Sequence, residues 1–169
     1  MSDFVVRFGA PVTVKNEWCR MLRKTEGTLF GLTGRGVGID PGVNFGLVFI
    51  DGEKVTAYHG SLKRETEPGR YGLVAYRFLQ SILPDRTIPV IIEGAAYGAP
   101  FRQVLLEEVR IGLYLYVAMS PKSNVKIVPP PTIRKKVLSD GRAQASDQFP
   151  VLNHNAADAL SMALYAIMV

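Results

Sequence analysis

The sequence predicts an α/β domain in which a mixed five-stranded sheet is flanked by helices. Three short β-rich runs follow one another between Val37 and His59, which is typical of an antiparallel meander. Helical and strand-like segments then alternate along the rest of the sequence, which is typical of strands joined by crossover helices. A meander followed by such alternation favours a mixed sheet with helices on its faces.

The three strands of the meander are separated by turn-forming residues. Val37–Asp40 is followed by a Pro-Gly pair, and Phe45–Ile50 is followed by an Asp-Gly pair, which strongly favours a hairpin turn. Lys54–His59 then completes the meander as its third strand.

The elements after the meander are predicted from hydrophobic periodicity. Apolar residues recur every three or four positions in helical segments, whereas short continuous apolar runs indicate buried strands. In chain order we predict a helix over 65–83, a strand at Val90–Ile92, a helix over 101–119, a strand at Val125–Val128, and helices at Ile133–Leu138 and Asn155–Met168. These two strands bring the predicted sheet to five.

The first 36 residues differ in pattern from the rest, and we interpret them as an N-terminal arm or edge addition to a main domain at 37–169. Phe4–Phe8 is strand-like in composition. Lys15–Lys24 is predicted to form a short amphipathic helix, because its larger apolar residues are spaced to share one side.

Composition limits the classes of protein that need to be considered. The chain has 169 residues and a single cysteine, Cys19, which excludes an internal disulfide. Cys19, His59 and His154 do not have the spacing of a zinc site. We therefore expect the cytoplasm or another reducing intracellular compartment. No apolar run approaches the 18 or more residues that span a bilayer, so no membrane partner is expected.

Positive charge is concentrated in one short segment. The chain carries a net charge of +5, and residues 121–142 alone carry six basic residues and one acidic residue. Arg134, Lys135, Lys136 and Arg142 belong to this segment. The charge indicates either a solvated loop or a nucleic-acid contact.

Three carboxylates occupy positions that suggest chemistry. Asp40 and Glu93 each close an apolar strand, and Asp158 lies among alanines and a leucine in the last helix. In open α/β sheets, functional sites collect at strand ends. An acid on an apolar helix face needs a partner or a metal, because an isolated buried carboxylate is costly. The pattern indicates a metal or acid site, although single acids at strand ends are often only turn or cap residues.

Four segments resemble the RuvC-type Holliday junction resolvases of the ribonuclease H-like superfamily. Gly38–Gly46, with the sequence GIDPGVNFG, is similar to their first strand, and Ile91–Gly94 is similar to their second acidic strand end. The segment from Pro130 to Arg142 resembles their basic DNA-contacting region, and His154–Leu160 resembles their last-helix acidic motif. The four occur in the family's order.

The resemblance implies a ribonuclease H-like fold and a nuclease that uses two Mg²⁺ ions, for which Mn²⁺ is expected to substitute. Asp40 would bridge the two ions, while Glu93 and Asp158 would each hold one. The implied enzyme is a homodimeric Holliday junction endodeoxyribonuclease, which makes paired symmetric nicks in branched DNA during recombination or repair. Carboxylates suit this task because Mg²⁺ prefers hard oxygen ligands.

The fourth site residue departs from the family pattern, which has Asp or His three positions before the final Asp. That position holds Asn155 here, and His154 lies four positions before. We expect His154 to act as a metal ligand or a base in catalysis. Asn155 is the alternative fourth residue, or else the cap of the last helix.

The resemblance also implies contacts to DNA and to a second copy of the chain. Tyr97 would stack on a base at the branch point, or else it simply packs on the surface. Arg134, Lys135, Lys136 and Arg142 would contact the backbone. Helix 101–119 is the predicted dimer interface, through an apolar stripe formed by Leu105, Val109, Gly112 and Tyr116.

Two other functions remain open at this point. One is a different ribonuclease H-like nuclease, acting on flaps, other branched DNA or RNA. The other is a non-catalytic nucleic-acid-binding protein that keeps the fold, an alternative that the altered fourth site residue leaves open. Cleavage of different substrates in the presence of Mg²⁺ would separate the three.

Overall fold

A computed structural model describes residues 4–94 and 103–169 of the chain. Within these ranges, eight strands form one mixed sheet and five helices pack around it. The strands are β1 Val5–Phe8, β2 Val12–Thr13, β3 Cys19–Phe30, β4 Gly34–Asp40, β5 Asn44–Gly52, β6 Lys54–Leu62, β7 Val90–Glu93 and β8 Val125–Val128. The helices are α1 Arg70–Ile82, α2 Gln103–Ala118, α3 Pro130–Val137, α4 Ala145–Gln148 and α5 His154–Met168.

The strand order across the sheet is β1-β3-β6-β5-β4-β7-β8, and β2 pairs with Arg23 and Lys24 of β3. Strands β4, β5 and β6 form the predicted antiparallel meander. Strand β7 lies parallel to β4, and β8 lies parallel to β7, as crossover helices require. The predicted class, a mixed sheet flanked by helices, is therefore confirmed.

The sheet has eight strands and not the predicted five, because the N-terminal residues contribute β1, β2 and β3. The predicted helix over Lys15–Lys24 is wrong, since Cys19–Phe30 is a twelve-residue strand paired with β6. A bulge between Cys19 and Met21 shifts the alternation by one residue, and the strand is buried on both faces. Its buried residues consequently recur every three or four positions, which imitates a helix.

The two faces of the sheet carry two separate hydrophobic cores. Helices α1 and α2 pack on one face, where Leu22, Ile39 and Leu47 meet Phe78 of α1 and Val109 of α2. Helix α5 covers the other face, together with α3 and α4, and packs on residues such as Val48, Val55 and Leu29. We call this second side the α5 face.

Two glycines let α5 lie directly on the strands that it covers. A Cβ atom on Gly38 would lie 2.0 Å from the carbonyl oxygen of Ala159, and a Cβ atom on Gly46 would lie 1.9 Å from that of Asn155. Neither position has room for any larger residue at this helix–sheet distance. The close approach places the first turns of α5 over the ends of β4 and β5.

The apolar stripe predicted to form a dimer interface lies mostly inside the chain. Val109 and Tyr116 are buried, and the Tyr116 hydroxyl donates a hydrogen bond to the Leu83 carbonyl at 2.6 Å. A Cβ atom on Gly112 would lie 2.1 Å from the carbonyl oxygen of Gly72 in α1. The stripe is therefore the contact between α2 and α1. None of the described helices is long and apolar enough to cross a bilayer.

Candidate active site

Two of the predicted acids end neighbouring parallel strands and touch each other. Asp40 is the last residue of β4, and Glu93 is the last residue of β7. The register pairs Ile39 with Ile92, so the acids that follow stand side by side on the α5 face. Their carboxyl groups lie close enough for a proton held by one to be shared with the other in a hydrogen bond.

The third acid reaches the same place from the helix. Asp158 lies one turn into α5, and it is half-buried. Its charge acts on both Asp40 and Glu93, so the three carboxyl groups lie within electrostatic reach of one another. The structure therefore brings together the three acids that the sequence singled out from separate elements.

Burial and mutual repulsion favour a bound proton or a cation at this cluster. Burial raises the pKa of Asp40 well above its usual value, and the charge of Glu93, its hydrogen bond and the charge of Asp158 raise it further. Burial also raises the pKa of Glu93, against the opposing effect of its bond to Asp40. Without a neutralising partner, full ionisation of the cluster is unfavourable.

The pKa of Asp158 is also raised, mainly by burial, but two neighbouring cationic side chains oppose the shift. These are Arg134 of α3 and His154 at the start of α5. Arg134 also acts on Glu93. Arg134, predicted only as a DNA contact, is thus half-buried beside two of the carboxylates.

The rest of the predicted basic segment lies farther out. Lys135 and Lys136, in the last turn of α3, are exposed to solvent. Arg142 is also exposed, and its backbone N–H donates to the Asp140 carboxylate at 2.9 Å. Of the four predicted DNA contacts in this segment, one arginine therefore lies at the carboxylate cluster and three cations lie on the adjoining surface.

Arg110 is a site residue that the sequence reasoning missed. It lies on α2, is only 4% exposed, and donates from Nε to the backbone oxygen of Glu93 at 2.8 Å. Its guanidinium also pairs with the Glu107 carboxylate, and its charge lowers the pKa of both Asp40 and Glu93. The available signal was a Glu-Arg pair, three residues apart, in a helix that is otherwise largely apolar.

The start of α5 separates the two candidates for the fourth site residue. Asn153 is the helix cap, since its side-chain oxygen accepts from the Asn155 backbone N–H at 2.9 Å. The idea that Asn155 caps the helix is therefore wrong. His154 is exposed and acts electrostatically on Asp158, whereas the Asn155 backbone rests against Gly46. Tyr97, the predicted stacking residue, lies outside the described residues.

The predicted metal requirement can be tested against the chemistry of the donor set, which suits a hard divalent cation. Three carboxylates converge with raised pKa values, and the charges of Arg110, Arg134 and His154 oppose these shifts. In the described part of the chain, no three His, Cys, Asp or Glu side chains are arranged around one ion. The chemistry of the donors therefore fits a hard cation, although the described side chains do not form a three-ligand site around one point.

The mixed sheet and the helices on its faces have the arrangement of the ribonuclease H-like α/β fold. Among solved structures, the chain is similar to Thermus thermophilus RuvC, at 20% identity and a TM-score of 0.50, over 78% of this chain and 92% of that one. It also matches T. thermophilus RuvC in complex with Holliday junction substrate, at 18% identity and a TM-score of 0.46, over 78% and 91% of the two chains. No protein-family model and no curated protein matches the sequence. The likeness to the first structure confirms the fold implied by the sequence motifs.

Proposed function

We propose that this protein is a metal-dependent, structure-selective endonuclease that resolves Holliday junctions by paired symmetric nicks. The observation that carries the proposal is the convergence of Asp40, Glu93 and Asp158 on one face of a ribonuclease H-like sheet. The four sequence motifs that resemble RuvC-type resolvases supply the substrate class. Residues 37–169 would form the nuclease domain, and 1–36 would be an addition at its edge.

Asp40, Glu93 and Asp158 would hold two Mg²⁺ ions, with Asp40 shared between them. When bound, such ions activate water and stabilise the leaving oxygen in phosphodiester hydrolysis. Mn²⁺, which accepts the same oxygen donors, would substitute. The raised pKa values of these groups mean that a cation must displace a proton, so metal binding should strengthen as pH rises.

Three cationic side chains around the carboxylates would have distinct tasks. Arg110 fixes the Glu93 backbone through its 2.8 Å bond, and so holds the end of β7 in place. Arg134 lies beside Glu93 and Asp158, where it can balance the charge of an incoming phosphate. His154 is exposed beside Asp158, where it can hold or transfer a proton or complete the metal site.

The surface next to the cluster would bind the DNA backbone. Lys135, Lys136 and Arg142 are exposed there, and Arg142 follows α3 by only a few residues. Each neutralised phosphate contributes about −0.9 to the slope of log K against log salt. Tyr97, four residues after Glu93 in the sequence, is proposed to stack on a base at the branch point.

A homodimer would supply the two active sites that symmetric nicking requires. Because the predicted stripe packs inside the chain, the surface for a second copy would be the outer face of α2. Val104, Ile111, Leu115 and Met119 are exposed along that face at spacings of seven and four. Leu73 of α1 is exposed alongside them and lines a shared groove with Ile111 and Leu115.

The test is cleavage of three labelled substrates, a four-way junction, a linear duplex and an RNA–DNA hybrid, in Mg²⁺, Mn²⁺ or EDTA. We expect symmetric nicks in the junction, dependence on either metal, and no cleavage by Asp40→Asn. Preferred cleavage of the hybrid or of a flap would replace the proposal with another nuclease of this fold. Junction binding by wild type without cleavage in either metal would favour the non-catalytic alternative.

A further inference from the structure

A row of residues crosses four strands of the α5 face and leads from the active site to the N-terminal addition. Asp40 of β4 lies opposite Gly46 of β5, Gly46 opposite His59 of β6, and His59 opposite Arg23 of β3. Residues directly opposite each other in antiparallel strands point to the same face. Gly46 faces α5, so His59 and Arg23 are on the α5 face as well.

The alternation along each strand supports the same assignment. Val55 and Ala57 precede His59 on β6 at two-residue intervals, and both belong to the core beneath α5. Leu29, six residues after Arg23 on β3, belongs to that core too. The far end of the row continues through Thr13 of β2, which lies opposite Arg23.

The outer part of this row is accessible and carries no negative charge. Arg23 and Thr13 are exposed, and His59 is partly exposed. On the described strands β2, β3 and β6, every residue that shares the α5 face with Arg23 and His59 is neutral or apolar. Lys24 and Glu26, which form an ion pair at 3.2 Å, point to the opposite face.

The basic side chains of the row act on each other and on the start of α5. The pKa of His59 is lowered, first by burial and then by the positive charges of Arg23 and His154. These three side chains from three elements are thus within electrostatic reach. Arg23 supplies positive charge and His59 a ring N–H, and neither has an acidic neighbour on this face of the described strands, so the surface they share favours an anion.

Neighbouring strands lie about 4.8 Å apart, so three steps place Arg23 roughly 14 Å from Asp40. At about 3.4 Å per nucleotide along a strand of B-form DNA, this distance corresponds to a few nucleotides. A strand whose phosphate lies at the carboxylates can therefore reach Arg23 along the row. Thr13 would add a hydroxyl donor at the outer end.

We propose that Arg23 and His59, with Thr13, bind backbone phosphates of the DNA strand a few nucleotides from the bond that is cut. The inference rests on the proposed nuclease function and assigns a task to the N-terminal strands, which extend the sheet beyond β6. Strand β3 thereby lengthens the DNA-binding surface away from α3, on the opposite side of the carboxylates. The contact is to the backbone, so it is independent of base sequence.

The first experiment measures junction binding over a series of salt concentrations, without divalent metal, in an Asp40→Asn background that prevents cleavage. We expect Arg23→Ala to weaken binding several-fold and to reduce the log–log salt slope by about 0.9, whereas Arg23→Lys should stay close to the parent. Arg7→Ala is the matched control. It removes an exposed arginine from the same N-terminal strands, but Arg7 stacks on Phe30 on the opposite face.

The second experiment attaches an Fe–EDTA reagent to the cysteine introduced by Arg23→Cys. The control carries the same reagent on the cysteine introduced by Arg7→Cys. The native Cys19 should not compete for the label, because it is buried and its thiol pKa is raised to about 12. We expect strand scission within a few nucleotides of the nicking position from position 23, and only weak, scattered scission from position 7.

The outcomes separate this inference from the proposed function. If the parent binds the junction but Arg23→Ala and Arg7→Ala have equal affinity and slope, the Arg23 contact is refuted while the nuclease proposal stands. If wild type cleaves no substrate yet the Arg23 slope change is present, the nuclease proposal fails and the binding surface survives. Failure of the parent to bind DNA at all overturns both.

Discussion

Substitution of Gly46 by alanine should disturb both stability and catalysis, because the strand has no room for a Cβ atom beneath α5. That atom would lie 1.9 Å from the Asn155 carbonyl oxygen and 2.9 Å from the Ala156 nitrogen, where ordinary contact begins near 3.4 Å. The first turn of α5 must therefore retreat by about 1.5 Å. The clashing atoms are backbone, so no side-chain rotation can relieve the contact.

The stability cost should be at the upper end of the usual range for overpacked cores, about 3 kcal/mol. For a domain of this size, that corresponds to a melting temperature roughly 6–12 °C lower. The same shift moves His154 and Asp158 relative to Asp40, which lies opposite Gly46. Because a misplacement of about 1 Å can cost about 100-fold in rate, junction cleavage should fall by at least that factor.

Chemical denaturation and single-turnover cleavage of a four-way junction measure the two effects. Gly9→Ala is the control, since its new Cβ would meet only the Glu26 carbonyl oxygen at an ordinary 3.7 Å. Gly9→Ala should resemble wild type in both assays. A Gly46→Ala protein with normal stability and normal rate would refute the close helix–sheet contact, and with it the placement of α5 over the carboxylates.

Three further predictions concern the start of α5 and the carboxylate pair. Asn153→Ala should cost about 1 kcal/mol in denaturant unfolding with little loss of rate, because it removes the cap that accepts the Asn155 N–H; an unchanged stability would contradict the cap. His154→Ala should slow cleavage about 100-fold or more at a normal melting temperature, since this exposed residue contributes little packing; full activity would leave Asn155 as the fourth site residue. In EDTA, the raised pKa values of Asp40 and Glu93 mean that their protonation stabilises the fold, fully so below about pH 4. This stabilisation is lost as pH rises through the pKa values of the folded state. The unfolding free energy of Asp40→Asn should therefore increase relative to that of wild type as pH rises. Mg²⁺ should reduce this difference in unfolding free energy, because it stabilises wild type alone. A difference that does not change with pH would show that burial does not raise the pKa of these carboxyl groups.

The local pattern of the sequence was sufficient to predict most of the strands and helices within residues 37–169. Strands β4 to β8 and helices α1, α2, α3 and α5 all fall at or near their predicted ranges. Each combines a short apolar run or a helical period with nearby turn residues, and these are properties of neighbours along the chain. Parallel strands have their carboxyl ends at one edge of the sheet, so Asp40 and Glu93 are expected at the same edge, while the pairing of Ile39 with Ile92 is visible only in the folded chain.

Long-range pairing decided the parts that the sequence did not reveal. The buried residues of β3, a bulged strand, have the spacing of a helix, so the strand is identified only by its pairing with β6. In the sequence, Arg110 is only one member of a Glu-Arg pair in a largely apolar helix, and the fold brings it to the Glu93 carbonyl.

The linear sequence is sufficient to select the acids Asp40, Glu93 and Asp158 and to predict the elements that carry them. Strand ends and an acid on an apolar helix face are visible in a linear chain, because their cost or benefit arises from adjacent residues. Three relationships are visible only in the tertiary structure. Asn153 caps α5, Arg134 lies beside the carboxylates, and Arg23 lies on the same face of the sheet as they do. Those relationships depend on strand register and on the distance between helix and sheet, which are set by contacts between residues far apart in the chain.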